Sequence, residues 1–525
     1  MKSLFPEKVH TYIYIFALSI LVIGMPLSKF LMSLSQIILA CNWILEGDLK
    51  NKVIRFFKNK AAIFLSSFLI LHFLGIIYSE DLSYAINDIK IKIPLFVLPL
   101  IISTSKPLNN KTFHFVLSIF IASTFLATII SMFVLLGYSK REVVDIRDIS
   151  IFISHIRFSL LICVSIFITY FTFKKTTSSF LKISSILLIF WFIVFLIILE
   201  SVTGIAILLA TTTVLMLAYF FRKKTFLQKA TGFTLIFAGI LVSSIVLYTV
   251  FISSSKNNVP ATKTVLNETK LGNKYTHDTT SNLTENGNYI WINICYEELE
   301  EVWPKRSRLQ MSGNDLKGNP LHFTMIRFLA SKNLTKDATG LNSLTDEEIR
   351  AIERGVANVN NMNISSFTGR IRETIWEMQV YHQTGDANGH SLAQRFEYWK
   401  AALGIISKNA LLGVGTGDLE IALYKQYADM NFKLLPQYQL HPHNQFLSVA
   451  VCFGLVGLFW FLLSLFYPLL TLNIYSNLLY LAFFTIAIIS FLTEDTLETQ
   501  AGVTFFAFLN SFLLFAKEKE SSYSQ

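Results

Sequence analysis

Charge is scarce in this chain, at 15% of 525 residues, and cysteine is scarcer, with four. Cys41, Cys163 and Cys452 fall in apolar runs, which leaves Cys295 alone in the one long polar segment. That distribution argues against a disulfide framework and against a cysteine zinc site. No small-residue cleavage site follows the first apolar run, and a second run begins at once, so the first is expected to be a retained anchor rather than a signal peptide. No internal repeat is visible. What the chain has in abundance is apolar: 53% of it is hydrophobic, with 47 Phe, in runs near the roughly 20 residues that cross a bilayer. The net charge of +10 does not point to nucleic acid, because the basic residues sit in short clusters between apolar runs, as cytoplasmic loops do.

Apolar segments fall near 11–25, 28–45, 61–78, 93–105, 113–137, 157–173, 181–199, 203–221, 231–253, 444–468, 474–492 and 501–516. The fold class expected is an all-α polytopic membrane protein with about twelve transmembrane helices. With the N-terminus inside, Lys and Arg favour the inner loops, including Lys50, Lys52, Arg55, Lys174, Arg222 and Lys224, and the long polar segment falls on the outer face. The chain thus divides into a membrane region over 1–253, a large loop or lid over 254–440, and a second membrane region over 441–525. Residues 79–92 alternate apolar and charged positions at helical spacing and are expected to lie along the outer interface. Within the loop, the Thr/Asn/Ser/Lys-rich stretch to about 288 reads as loosely ordered. Beyond it, Thr345-Asp346-Glu347-Glu348 is a capping box whose helix should stop near Gly355. Ser391-Leu392-Ala393-Gln394 is a second one, opening a helix to about Ser407 that carries Arg395, Tyr398 and Trp399. Between them, 369–382 carries Arg370, Arg372, Glu373, Trp376 and Glu377 on an amphipathic repeat. The loop is thus expected to be a helical lid, too poor in apolar residues for a large core of its own.

The run His441-Pro442-His443-Asn444-Gln445-Phe446-Leu447 sits where the polar segment ends and an apolar run begins. His443 suits a general base or a donor to a leaving oxygen, since an imidazole titrates near neutrality; the alternative is an amphipathic side chain at the interface. His441 and His443 lack a third ligand nearby in sequence, so no metal is expected. Arg157, at the outer end of the 157–173 segment, either holds an anionic group or snorkels to the interface. Arg395 either matches phosphate oxygens with its guanidinium or pairs with a nearby Glu. Gly413-Val414-Gly415-Thr416-Gly417-Asp418 lacks the Lys-Ser/Thr of a phosphate loop and reads as a tight turn, with Asp418 near an N-cap. Glu494, Asp495 and Glu498 would meet Arg395 or Arg157, orient His443, or mark a solvated loop. Arg372, His441, Asn444 and Glu498 join Arg157 as candidate binding residues.

The run from Arg395 to Leu403, then Leu412 to Asp418, then His441 to Leu447, then Gly454-Leu455-Val456-Gly457-Leu458 resembles the O-antigen ligase family. The stretches Thr324–Gly340 and Thr493–Phe506 look like the variant found in Bacteroidetes-type bacteria. The resemblance implies a GT-C-like membrane glycosyltransferase with a large helical periplasmic loop, working at the bacterial inner membrane. Such enzymes move a glycan from undecaprenyl diphosphate to a sugar hydroxyl on lipid A-core, with inversion and without a nucleotide, required metal or other cofactor. Carried over by position, His443 matches the family's essential loop histidine and Arg395 the essential arginine before the Trp. A further family arginine has no counterpart at Glu200-Ser201-Val202-Thr203-Gly204, where Arg157 on a neighbouring helix is a candidate substitute. The related polymerase, which joins one lipid-linked repeat to another, shares this layout. A transporter would call for repeated halves and broken helices at the midplane, and the sequence shows neither clearly.

Overall fold

The computed structural model describes residues 3–139, 145–222, 262–362, 367–430, 434–471 and 477–518, with residues 143 and 234. Two compact units emerge, one of Met1–Ser139, Ile149–Ile236 and Arg395–Gln525, the other of Lys140–Asp148 and Phe237–Gln394. Along the chain the helices are α1 (Glu7–Leu27), α2 (Lys29–Leu45), α3 (Leu49–Lys58), α4 (Lys60–Ile76), α5 (Leu82–Lys92), α6 (Pro94–Thr104) and α7 (Asn110–Leu135). Next come α8 (His155–Lys175), α9 (Ser179–Ile198) and α10 (Val202–Phe221), then a hairpin of β1 (Thr284–Glu285) and β2 (Asn288–Tyr289). After the hairpin run α11 (Tyr296–Arg306), α12 (Leu321–Ser331), α13 (Ala338–Asn342), α14 (Asp346–Glu353) and α15 (Phe367–Thr384). The chain ends with α16 (Ser391–Lys408), α17 (Leu419–Asp429), α18 (Gln445–Thr471), α19 (Leu478–Thr493) and α20 (Gln500–Phe515).

Every apolar run expected to be a helix is one, except 231–253, which apart from residue 234 lies outside the described residues. Among the described residues, six helices are long and apolar enough to cross a membrane, or up to seven if α2 and α3, bent by 113°, form one span. The first two apolar segments part at Ser28, whose hydroxyl accepts the Leu31 N–H and starts α2. α6 has 11 residues, about 16 Å of helix, short of the hydrocarbon thickness. The C-terminal helices pack among the N-terminal ones: α18 on α4, α20 on α6, and α19 on α8 and α10. Phenylalanine packs across the α4–α18 seam, as in Phe68 against Phe461 with ring centroids 4.5 Å apart, and between α7 and α20, as in Phe113 against Phe512 at 4.8 Å.

α18 is broken at Gly454, whose φ of 62° and ψ of −165° are not helical. The apolar pattern of the sequence runs through this position without a clear sign of the break. A break inside an apolar helix frees backbone groups that lipid cannot satisfy. The turn after α16 satisfies them. Val414 and Gly415 donate their N–H groups to the carbonyls of Val451 and Cys452, at 2.9 and 2.8 Å, while Leu455 and Val456 donate to Ala410 and Leu411 at 2.8 and 3.3 Å. At Gly454 a Cβ would stand 2.3 Å from the Leu411 carbonyl carbon, and at Gly413 it would stand 2.4 Å from that of Cys452. Only glycine permits the two backbones to come this close.

The second unit corrects two expectations. It has a hydrophobic core of its own, with Ile290, Leu299, Trp303, Leu329, Leu341 and Ile352 all fully buried. Its short helices each turn a few apolar residues inward, so averaged composition hides the core. The described part of the stretch before 288 is also ordered: Thr276 and Ile294 exchange backbone hydrogen bonds of 2.7 and 3.1 Å. Its polar side chains bind the fold, since Thr269 and Asn273 both donate to the Glu298 carboxylate, which also accepts the Ala338 N–H. The Thr345 capping box forms with Glu348, and α14 gives way to Gly355 at φ 76°.

Candidate active site

On α16, Arg395, Tyr398 and Trp399 stand at i, i+3 and i+4, a spacing that puts them on one helix face. That face grips the histidine turn. Trp399 Nε1 donates to the Pro442 carbonyl at 3.0 Å, and the Tyr398 ring lies 5.8 Å from the His443 ring. Arg395 Nη2 donates to Glu494 Oε1 at 2.6 Å and Nη1 to the Thr493 carbonyl at 2.5 Å.

His443 is in the left-handed region at φ 48°, rare for a side chain of its size. Asn444 on one side and the acidic segment opposite hold the turn. Asn444 caps α18, its Oδ1 accepting the N–H groups of Phe446 and Leu447 at 3.0 and 3.2 Å. Asp495 accepts the His443 N–H at 2.7 Å, the Asn444 N–H at 3.1 Å and the Ser448 hydroxyl at 2.6 Å. His443 Nδ1 donates to Glu494 Oε2 at 3.1 Å, so one carboxylate joins His443 to Arg395. A carboxylate at Nδ1 fixes the proton there and leaves Nε2 as the basic nitrogen.

The electrostatics of the two acids diverge. Burial alone would raise Glu494, but the hydrogen bond and charge of His443, with those of Arg395, outweigh it and hold the carboxyl below its ordinary range. Burial pushes Asp495 up, and the neighbouring Glu498 adds to this against the Ser448 hydrogen bond. The reading of this segment as a solvated loop is overturned: the Glu494 side chain is 12% exposed and Asp495 is buried. The plainer alternative for Arg395, an ion pair with a Glu, is what forms, and its partner is the residue that also holds His443.

His441 pairs with Glu420, Nε2 to Oε1 at 3.4 Å. Arg157 lines a small crevice with Met25, Leu161, Gly502 and Phe505. Its Nη1 donates to Ser154 Oγ at 3.0 Å, its Nε is buried without a partner among the described residues, and the charges of Glu494 and Asp495 act on it. At Gly204 a Cβ would stand 2.7 Å from that of Ser159, so the start of α10 meets α8 two residues, about half a turn, from Arg157. Arg372 belongs to the second unit, with its Nε buried and unpartnered among the described residues. Glu498 is engaged within the protein, by Lys92 Nζ at 2.7 Å and Gln445 Nε2 at 3.0 Å.

The glycine turn is no phosphate cradle, because its N–H groups are spent. Those of Gly413, Val414, Gly415 and Thr416 go to backbone carbonyls and that of Gly417 to Ser79 Oγ. Asp418 stands before α17 but leaves that helix uncapped; its carboxylate instead accepts the N–H groups of Glu80 and Asp81 at the start of α5. The 79–92 stretch is indeed helical over α5, yet Asp88 and Lys92 are buried among protein groups. Their i, i+4 spacing is the local signal of this internal ion pair.

No curated protein matches the chain. Residues 330–462 of this multi-pass membrane protein, which include Arg395, the glycine turn, His443 and the break at Gly454, match the family model described as O-antigen ligase, a match that supports membership of that family.

Proposed function

We propose that the protein transfers a glycan from undecaprenyl diphosphate to a sugar hydroxyl of lipid A-core, with inversion and without a metal. Its reacting groups face the periplasm at the bacterial inner membrane, in a topology of about twelve spans with the 254–440 loop outside. The observation that carries this reading is the single Glu494 carboxylate held between Arg395 and His443 at the head of α18. In the reaction the acceptor oxygen attacks the anomeric carbon as the bond from that carbon to the diphosphate oxygen breaks. His443 Nε2 takes the hydroxyl proton, and Glu494 steadies the imidazolium that forms. Arg395 and Arg157 neutralise the departing diphosphate, guanidinium groups being matched to phosphate oxygens. His441 and Asn444 shape the turn that presents His443.

The test is transfer in proteoliposomes from a purified lipid-linked glycan to lipid A-core, with and without chelator, for the wild type and His443→Asn. Asparagine tolerates the left-handed backbone, so a loss of transfer reports the imidazole. Undiminished transfer by the variant ends the catalytic role of His443, and chelator sensitivity ends the metal-free reading. Single lipid-linked repeats accumulating in a null strain, in place of polymerised glycan, would assign the chain as a polymerase.

A further inference from the structure

The first unit buries a second group of charges at the far end of the 494–498 segment. Lys92, 1% exposed, donates to Asp88 and, at 2.7 Å, to Glu498 Oε2. Asp88 is bonded in turn to His72 Nδ1 at 2.9 Å. Gln445, fully buried at the first position of α18, donates to Glu498 Oε1 at 3.0 Å and accepts the Leu497 N–H at 2.7 Å. Lys92 is held well above the ordinary lysine range and Asp88 well below that of a carboxylate. In each case burial opposes the charge and the opposite charges beside it prevail.

The transfer step proposed above uses none of these side chains, and apolar residues would join two helices with less desolvation. What the ion pairs add is register. Lys92 closes a second route between Arg395 and Glu494. The turn after α16 sends Asp418 to the N–H groups of Glu80 and Asp81, α5 runs from there to Lys92, and Lys92 reaches Glu498. The carboxylate that joins His443 to Arg395 thus lies on a segment tied at one end by Asp495 and at the other by Glu498.

We infer that Lys92 is a positioning residue: through Glu498 and Gln445 it holds the segment bearing Glu494 against His443. Only the rate arm of its test rests on the transferase reading.

The variants are Lys92→Met, Glu498→Gln and Gln445→Met in the full chain in nanodiscs. Glu498→Gln keeps the Lys92–Asp88 pair and an acceptor for Gln445, so it retains the fold even if Lys92→Met does not. Hydrogen exchange is read at His443 and Asn444, whose N–H groups donate to Asp495. The expected result is at least tenfold faster exchange confined to these amides, with α1, α7 and α20 unchanged. Transfer should show kcat lowered about 10²-fold, as displacement by an ångström costs a reacting group, with the donor KM within twofold. Folded variants with wild-type exchange and kcat would overturn the inference, as would faster exchange spread across the whole unit. Local exchange that quickens in the variants while the wild type itself transfers nothing supports the positioning and ends the transferase reading. Wild-type transfer with unmoved exchange in the variants does the reverse.

Discussion

Arg395 and Glu494, 99 positions apart in the sequence, meet with Nη2 and Oε1 2.6 Å apart, and the other oxygen of that carboxylate holds His443. Glu494→Gln keeps the shape of the side chain and removes its charge. Transfer is expected to fall about 10²- to 10⁴-fold, the range of general-base assistance, with donor KM little changed. The pH dependence has a definite sign. Glu494 is held below its ordinary value of 4.5, so its contribution to stability is present above that value and is lost as pH falls through the lowered one. Thermal scans below about pH 4.5 should therefore show a falling midpoint in the wild type that is flatter in the variant.

Trp399→Phe removes the hydrogen bond to the Pro442 carbonyl and keeps the ring. A loss of about 1 kcal/mol is expected, which lowers transfer several-fold at unchanged yield of folded protein. Equal loss of folded protein, measured by size-exclusion chromatography, would count against a role at the turn.

Arg157→Gln should raise the donor KM roughly tenfold, as for one hydrogen bond to a charged group. Arg157→Lys should recover part of that, because the ammonium keeps the charge without the guanidinium fork. Steady-state kinetics with varied donor separates this from an effect on kcat.

Gly454→Ala places a methyl group 2.3 Å from the Leu411 carbonyl carbon at a φ of 62°. Backbone strain alone costs roughly 1–3 kcal/mol, and the contact adds to it. The thermal midpoint in detergent should drop by several degrees, whereas Leu455→Ala beside it, at an exposed position, should leave it nearly unchanged.

The apolar helices were legible in the sequence because their signal is local: a run of side chains suited to lipid needs no partner to be read. The capping box at Thr345 and the turn at Gly413–Asp418 were legible for the same reason, each resting on a few adjacent residues. His443 stood out as a polar group at the head of an apolar run and Arg395 as a cation on a capped helix, aided by the family resemblance. Glu494 was visible only as one of three acids with three open readings, because its meaning lies in two partners distant along the chain. The partner of Lys92 was not legible, since a charged helix face looks alike whether it meets headgroups or a buried Glu498. The core of the second unit escaped notice because its apolar residues are dispersed over short helices and loops within a polar average.

The break at Gly454 bears on the order in which the molecule is assembled. An unbroken apolar helix completes its hydrogen bonds on leaving the translocon, wherever its neighbours are. α18 does not: part of its backbone is left open until Ala410–Gly415 dock against it. Those residues are synthesised earlier and come directly after α16, so the helix that bears Arg395 must be at the bilayer before the one headed by His443 finishes folding. Maturation of the site is in this way tied to membrane insertion itself.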